Sequence, residues 1–230
     1  MSRSRLSAIG FATVLALLLL GLATPRLVSG VVSGPFDETV RALGRGGEVP
    51  QKDVRIARAS RITALDWYDN TRYASDLGAL NYALAMRQSR GSEVHSRLIA
   101  EAIASDQHAI SLAPSAAFSW IRLAQAKVER DGAGADIAPY LRMSFRTASN
   151  DPRIVLPRLN FALAVWDNLP EDVQAMTADQ IRLAMKWYPR ELVRQTRARY
   201  RLAEVRDALR DDPGARARFN LLYFLRRDAV

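Results

Sequence analysis

Three prolines divide much of this chain into intervals of nearly equal length. Pro114, Pro152 and Pro189 are 38 and 37 residues apart, and each interval has room for two short helices joined by a turn. Because proline ends a helix or begins one, this recurrence indicates stacked helical hairpins. Stacks of this kind present extended grooves to partners rather than a single catalytic pocket.

The hydrophobic pattern after Asp53 favours helices throughout. Apolar residues recur at steps of three and four, as in Ile99, Ala102 and Ile103, without the alternation of a strand. We therefore predict an all-α fold with about four antiparallel hairpins after a lead-in helix at 53–68. The predicted pairs are 71–90 with 93–112, 115–130 with 136–148, 153–166 with 171–188, and 190–210 with 215–227.

The N-terminus carries a second strong signal. Twenty uncharged residues separate Arg5 from Arg26, and as a helix they reach about 30 Å, enough to cross a bilayer. A cleaved secretory signal is the alternative, with candidate sites at residues 21–23 and 28–30. Arg3 and Arg5 favour a cytoplasmic N-terminus, so we expect a single-pass bacterial inner-membrane protein whose C-terminal domain lies in the periplasm.

These signals define three regions. Residues 1–25 are the expected cytoplasmic tip and transmembrane anchor, or a signal sequence. Residues 26–52 are rich in Val, Ser and Gly, which predicts a flexible linker with at most a turn of helix near 37–43. Residues 53–230 are the expected helical repeat domain.

The junction around Pro114 resembles the tetratricopeptide repeat in its residues and their spacing. Small residues let the helices approach, and Trp120 and Leu123 fill the space between hairpins. Pro189 keeps part of the pattern and Pro152 mainly its spacing, so the resemblance implies a degenerate, tetratricopeptide-like stack. The positions that carry it are Ala102, Ala109, Leu112, Pro114, Trp120, Leu123, Pro152, Ala184 and Pro189.

Charge suggests where partners could bind. The formal charge is +9 and comes from 33 basic residues, of which only three are lysines. On one continuous helix after Pro189, four arginines would form a stripe suited to an anionic polymer, an acidic partner or lipid headgroups, unless neighbouring acids pair with them. Nucleic acid is disfavoured because the chain is expected to leave the cytoplasm. The candidate partner-binding residues are Arg190, Arg194, Arg197 and Arg201 in the stripe, and Arg122, Gln125, Arg158 and Asn160 on the first helices of their hairpins.

The C-terminal segment 219–225 is apolar around most of a helix. It either covers the last hairpin or docks onto another protein, a second copy of the chain or the membrane surface. These two interpretations stay open at the level of sequence.

Catalytic signatures are absent from the sequence. The chain has no cysteine, its two histidines are thirteen residues apart, and neither a nucleophile elbow nor a phosphate-binding loop occurs. We therefore expect no catalytic residue, metal site or cofactor.

One anchor, a linker and a degenerate helical repeat together resemble small accessory proteins of bacterial envelope and exopolysaccharide assembly. That resemblance implies a membrane-anchored scaffold that binds other envelope or inner-membrane proteins, with roles in exopolysaccharide or O-antigen polymerisation or export. The alternatives are an envelope enzyme that acts on glycan and a secreted soluble binding protein.

Overall fold

The computed structural model describes residues 3–132 and 134–225, with side chains from residue 10 onward. These residues are helical with no strand among them, which confirms the all-α prediction. They fall into two compact units, one within Met1–Leu112 and one within Ala113–Val230. The sequence analysis predicted one domain over 53–230, whereas the first unit includes the N-terminal helix and the second begins near Pro114.

The described part of unit 1 contains five α-helices: α1 (Arg3–Ser33), α2 (Asp37–Gly44), α3 (Gln51–Trp67), α4 (Thr71–Ala85) and α5 (Glu93–Leu112). The α3 helix packs on α1 and α4, and α4 pairs with α5. Asn70 begins α4 by accepting a hydrogen bond from the Arg72 amide. The α4 and α5 helices lie close together at Gly78, where a Cβ would come within 2.7 Å of the buried Asp106 carboxylate.

The predicted linker differs most from the structure in unit 1. Residues 26–33 continue α1, and a 3₁₀ turn, Gly34–Phe36, leads into α2. Ser29 and Ser33 are buried, because this end of α1 packs on α3. Serine and glycine predict flexibility here, but Ser29 and Ser33 are small residues on a packed helix face, whereas Gly30 and Gly34 are exposed.

Within residues 113–132 and 134–225, unit 2 contains seven α-helices: α6 (Ala117–Asp131), α7 (Ala138–Thr147), α8 (Pro152–Ala164), α9 (Glu171–Trp187), α10 (Pro189–Arg199), α11 (Leu202–Ala208) and α12 (Pro213–Phe224). The α6 helix pairs with α7 and α8 with α9, close to the predicted bounds. Pro152 and Pro189 are the first residues of α8 and α10, where a missing N–H costs nothing.

The predicted helix 190–210 is wrong, because the chain breaks at Tyr200, which adopts a left-handed conformation with φ of 57°. Thr196 and Val205 are both buried. On one straight helix they would point about 180° apart, given about 100° of rotation per residue. The break turns α11 so that both segments contribute to the core of unit 2.

Candidate functional site

From Gly10 onward, most of the α1 surface is apolar and exposed. An 18-residue window of the helical run Gly10–Gly44 has a mean hydropathy of 2.0, and none of it is buried. Large side chains between Phe11 and Leu22 are 45–71% exposed. By length and composition this helix could cross a membrane, and a signal sequence has the same two properties.

The C-terminal end of α1 is anchored to α3 by specific contacts. Ser60 Oγ donates to the Val32 carbonyl at 3.0 Å. The Arg26 guanidinium lies 4.6 Å from the centroid of the Tyr68 ring. As residue numbers fall along α1, those of their partners rise along α3, so the two helices are antiparallel.

Arg61 fixes this junction electrostatically. Its side chain is fully buried, and its Nη1 donates to the Ser33 carbonyl at 2.8 Å. Its Nη2 lies 2.6 Å from Asp37 Oδ1, and its Nε lies 3.0 Å from Asp76 Oδ2. Arg72 also pairs with Asp37, at 2.5 Å. One guanidinium thus joins the end of α1, α2 and α4, and two carboxylates balance its charge.

The residues of the tetratricopeptide-like pattern are placed mainly in cores and turns. Ala102, Ala109, Leu123 and Ala184 are buried. Trp120 donates from Nε1 to the Pro114 carbonyl at 2.8 Å, and its ring lies 6.3 Å from that of Tyr140. Leu112, by contrast, is 40% exposed. Small residues therefore occupy close contacts within each unit, and the tetratricopeptide-like stack stays a prediction.

Arg158 does not line a groove. It was predicted to face a partner, but it is fully buried. Uncharged oxygen atoms inside unit 2 accept hydrogen bonds from its guanidinium group. Its Nη2 donates to the carbonyls of Ser144 and Ala148 at 2.7 and 3.1 Å, its Nε to Ser144 Oγ at 3.2 Å, and its Nη1 to Gln180 Oε1 at 2.9 Å. Burial lowers the pKa of Arg158 to about 10, partly opposed by the charge of Asp151.

The other three groove candidates are half-buried. Arg122 and Gln125 lie on α6, and Asn160 lies on α8. Arg122 makes a contact with Ser119 Oγ, and Asn160 accepts a hydrogen bond from Arg199 at 3.1 Å. They leave some polar surface accessible, and their role as partner contacts stays a prediction.

The predicted arginine stripe is divided by the break at Tyr200. Arg190 and Arg194 remain exposed on α10, and Arg194 pairs with Glu191 at 2.5 Å. Arg197 stacks on the Tyr223 ring and bonds its carbonyl. Arg201 lies beyond the break and pairs with Asp167 and Glu204 at 2.5 and 2.9 Å. Neighbouring groups thus engage three of the four.

A groove of about 680 Å³ lies between α7 and α9 in unit 2. Phe145 and Met176 supply apolar surface, and Asn150, Gln180 and Lys186 supply polar and basic groups. It is open and mixed in character, as a surface for a polypeptide would be. Its walls are the second helices of two pairs, not the first helices that the sequence analysis favoured.

The C-terminal helix α12 has two different sides. Phe219 is buried, and Leu222 and Tyr223 pack against the core. Leu221, Phe224 and Leu225 are 47–62% exposed. The segment therefore covers the end of unit 2 and also leaves apolar surface, so self-association through 219–225 stays a prediction. Arg226 and Arg227, which flank it, lie outside the described residues.

The histidines occupy unrelated positions. His95 is buried on α5, and His108 Nε2 lies 2.6 Å from Asp69 Oδ1. Among the described residues, no group of three or more His, Asp or Glu side chains could hold a metal ion.

Sequence reasoning missed Arg61, although a signal for it exists. Arg61 follows Val54 and Ala57 and precedes Ala64 on one buried stripe of α3. Arg158 likewise lies between Ile154 and Ala162 on the buried face of α8. An arginine within an apolar helix stripe indicates a buried guanidinium with internal acceptors.

Comparison with known proteins adds no relative: no family model, no curated protein and no solved structure matches this chain.

Proposed function

We propose that this protein is a membrane-anchored helical adaptor that holds a protein-binding surface beside the bacterial inner membrane. The observation that carries the proposal is the continuity of α1. One end exposes a length of apolar helix suited to a bilayer, and the other end is packed into unit 1. Confinement of this kind raises the effective concentration of membrane partners around the adaptor.

The packing also bears on signal cleavage. A cut after Gly30 would remove Ser29, which is fully buried, and Arg26, which stacks on Tyr68. These contacts disfavour the cut after Gly30, whereas a cut after Ala23 would leave both of them in place. The intact mass of the chain purified from membranes distinguishes an anchored form from a cleaved one.

The mixed groove between α7 and α9 is the proposed partner surface. In the narrower form of the proposal, its partners belong to exopolysaccharide or O-antigen polymerisation or export. This narrower form is supported only by the resemblance of the chain's layout to accessory proteins of those systems.

Photo-crosslinking in native membranes tests the adaptor. A photoreactive residue at Met176 lies in the groove, and a matched one at Asp211 lies on an exposed loop of the same unit. We expect an envelope protein to crosslink from Met176 and not from Asp211, and the chain to resist a carbonate wash. Release by carbonate would refute the anchor. Equal labelling from both positions, or capture of ribosomal and cytosolic proteins alone, would refute the adaptor.

A further inference from the structure

The turn between α3 and α4 lies beside the part of α1 that leaves the apolar segment. Arg26 is the first charged residue after the twenty uncharged ones, and it stacks on Tyr68 at the end of α3. Because α3 runs antiparallel to α1, its C-terminal end points toward the apolar segment and its N-terminal end points away. The packing therefore sets the depth of the α3–α4 turn relative to any bilayer that α1 crosses.

The side chains at this turn suit a membrane interface. Trp67 is 51% exposed at the last position of α3, and Tyr68 follows it. Tryptophan and tyrosine are enriched where hydrocarbon meets headgroups, because their rings are apolar and carry a polar N–H or O–H. An isolated exposed tryptophan is common on soluble surfaces, but this one lies at the level of Arg26, the first charged residue of α1 after its apolar segment.

The outer surface of α1 supports the same depth. Leu27 and Val31 are 68% and 66% exposed, although they lie after Arg26 and on the turns that pack against α3. The apolar surface thus continues alongside the end of α3. Arg26 donates from Nη1 to the Leu22 carbonyl at 2.7 Å. Its guanidinium group thus has two partners beside the apolar segment, this carbonyl and the Tyr68 ring.

The acidic groups of the turn limit how deeply it can lie. Asp66 is exposed, and Asp69 contacts the ring of His108. Carboxylates are costly in hydrocarbon but tolerated among hydrated headgroups. This combination of aromatic rings and carboxylates suits the headgroup layer rather than the bilayer core.

We infer that the α3–α4 turn is a second membrane contact, in which Trp67 and Tyr68 sit among lipid headgroups while α1 crosses the bilayer. The inference rests on the proposed membrane anchor. With two contacts, unit 1 has a fixed height and tilt above the membrane. A flexible linker, as the sequence analysis predicted, would have left both free.

Spin-label depth measurements on the full chain in phospholipid vesicles test this contact. The chain has no cysteine, so single cysteines introduced by Leu17→Cys, Asp66→Cys and Ile56→Cys carry one nitroxide each. Asp66 adjoins the turn, and Ile56 is an exposed control on α3, about 15 Å farther from the membrane at 1.5 Å per residue. For each nitroxide, the ratio of its accessibility to oxygen over its accessibility to a water-soluble nickel chelate reports its depth in the bilayer. We expect this ratio to decrease from the label at position 17 to that at position 66 and then to that at position 56.

Two results would overturn the inference in distinguishable ways. If the Leu17 label is buried in lipid but the Asp66 label is as accessible to the chelate as the Ile56 label, the turn lies in water and the anchor stands. If the Leu17 label is itself accessible to the chelate, the anchor fails and the second contact fails with it.

Fluorescence of the chain with its native tryptophans gives an independent check on the inferred contact. Lipids brominated near the headgroup end of their acyl chains should quench the wild-type protein, and Trp67→Phe should remove most of that quenching, since an interfacial ring lies close to such bromines. Equal quenching of the two proteins would contradict the contact.

Discussion

Among the residues whose side chains the structure describes, each unit buries one arginine completely, and the two have different kinds of partners. Arg61 in unit 1 contacts two carboxylates, whereas the hydrogen bonds of Arg158 in unit 2 go to carbonyl, hydroxyl and amide oxygens. Both guanidinium groups have hydrogen-bond acceptors, so neither is left without a partner. The comparison separates two requirements of a buried cation, which are hydrogen-bond partners and balancing charge.

The difference has structural consequences. Carboxylates at Asp37 and Asp76 let Arg61 join segments that are distant in sequence, including the end of α1. Arg158 instead closes the C-terminal end of α7 and reaches α9 through Gln180. Its Phe145 neighbour, 4.9 Å from the guanidinium carbon, adds a cation–π contact. Unit 1 thus uses a buried charge to fix the end of α1, while unit 2 uses one to pack its helix pairs.

The largest expected effect comes from Arg61→Met. Removal of the guanidinium takes the buried cation from two partly buried carboxylates and leaves only the more exposed Arg72 beside them, 2.5 Å from Asp37 and 3.9 Å from Asp76. Breaking a buried pair typically costs about 3–5 kcal/mol, and the remaining pairing with Arg72 places the expected loss at the lower end of that range. We expect a loss of that size in unit 1, and faster amide exchange at the junction of α1 with α3. Urea unfolding in detergent, followed by hydrogen-exchange mass spectrometry, measures the two units separately.

Arg41→Met is the matched control for that experiment. Arg41 pairs with Glu38 at 2.5 Å, but both side chains are 61% exposed. Surface pairs of this kind contribute little to stability, because water and salt screen the two charges. A loss from Arg61→Met no larger than the loss from Arg41→Met would show that the two carboxylates are not balanced by Arg61.

The next effect in size comes from Arg158→Met. The substitution removes hydrogen bonds from a charged group, which destabilises unit 2, but it also removes a cation that is costly to bury. The two contributions oppose each other, so we expect the free energy of unfolding of unit 2 to fall by about 2 kcal/mol. The same unfolding measurement checks it. A loss as large as that from Arg61→Met would contradict the distinction between neutral and charged partners.

The pH dependence of this loss follows from the lowered pKa. Burial lowers the pKa of Arg158 to about 10 in the folded chain. Above about pH 10 the folded chain therefore begins to lose this proton, while the unfolded chain still binds it. The free energy of unfolding therefore rises with pH in that window, and below it both states are protonated. We expect the difference between wild type and Arg158→Met to be constant from about pH 6 to 9.

The regularity of the helices made much of the fold predictable. The apolar periodicity predicted α5 with the bounds that the structure has, Glu93–Leu112, and the proline positions predicted the starts of α8 and α10. The break at Tyr200 was missed, although the half-turn offset between Thr196 and Val205 was present in the sequence. Periodicity assessed in short windows does not detect a change of face between windows.

The candidate site was less predictable, because arginine was assumed to lie at the surface. That assumption holds for most arginines, and it led to Arg158 as a groove residue. The burial of Arg61 depends on Asp37, in a segment interpreted as linker, and on Asp76 one helix later. Contacts between segments so far apart in sequence are set by packing, which the local pattern around Arg61 does not contain.

A third arginine, Arg201, gives the smallest expected effect of substitution, because its partner Asp167 is exposed to water. It pairs with the exposed Asp167 at 2.5 Å, and the hydrogen bond from Arg201, followed by its charge, holds the pKa of Asp167 below its usual value. The pair therefore stabilises unit 2 above the usual carboxyl pKa, and this contribution is lost as pH falls through the lowered value. We expect Arg201→Gln to return the pKa of Asp167 toward its usual value, as measured by carboxyl NMR titration, with Arg210→Gln as a control because Arg210 contacts Asp207 instead. An Asp167 titration unchanged by Arg201→Gln would mean that solvent screens this pair completely, and the role of balancing carboxylates would then be confined to buried arginines such as Arg61.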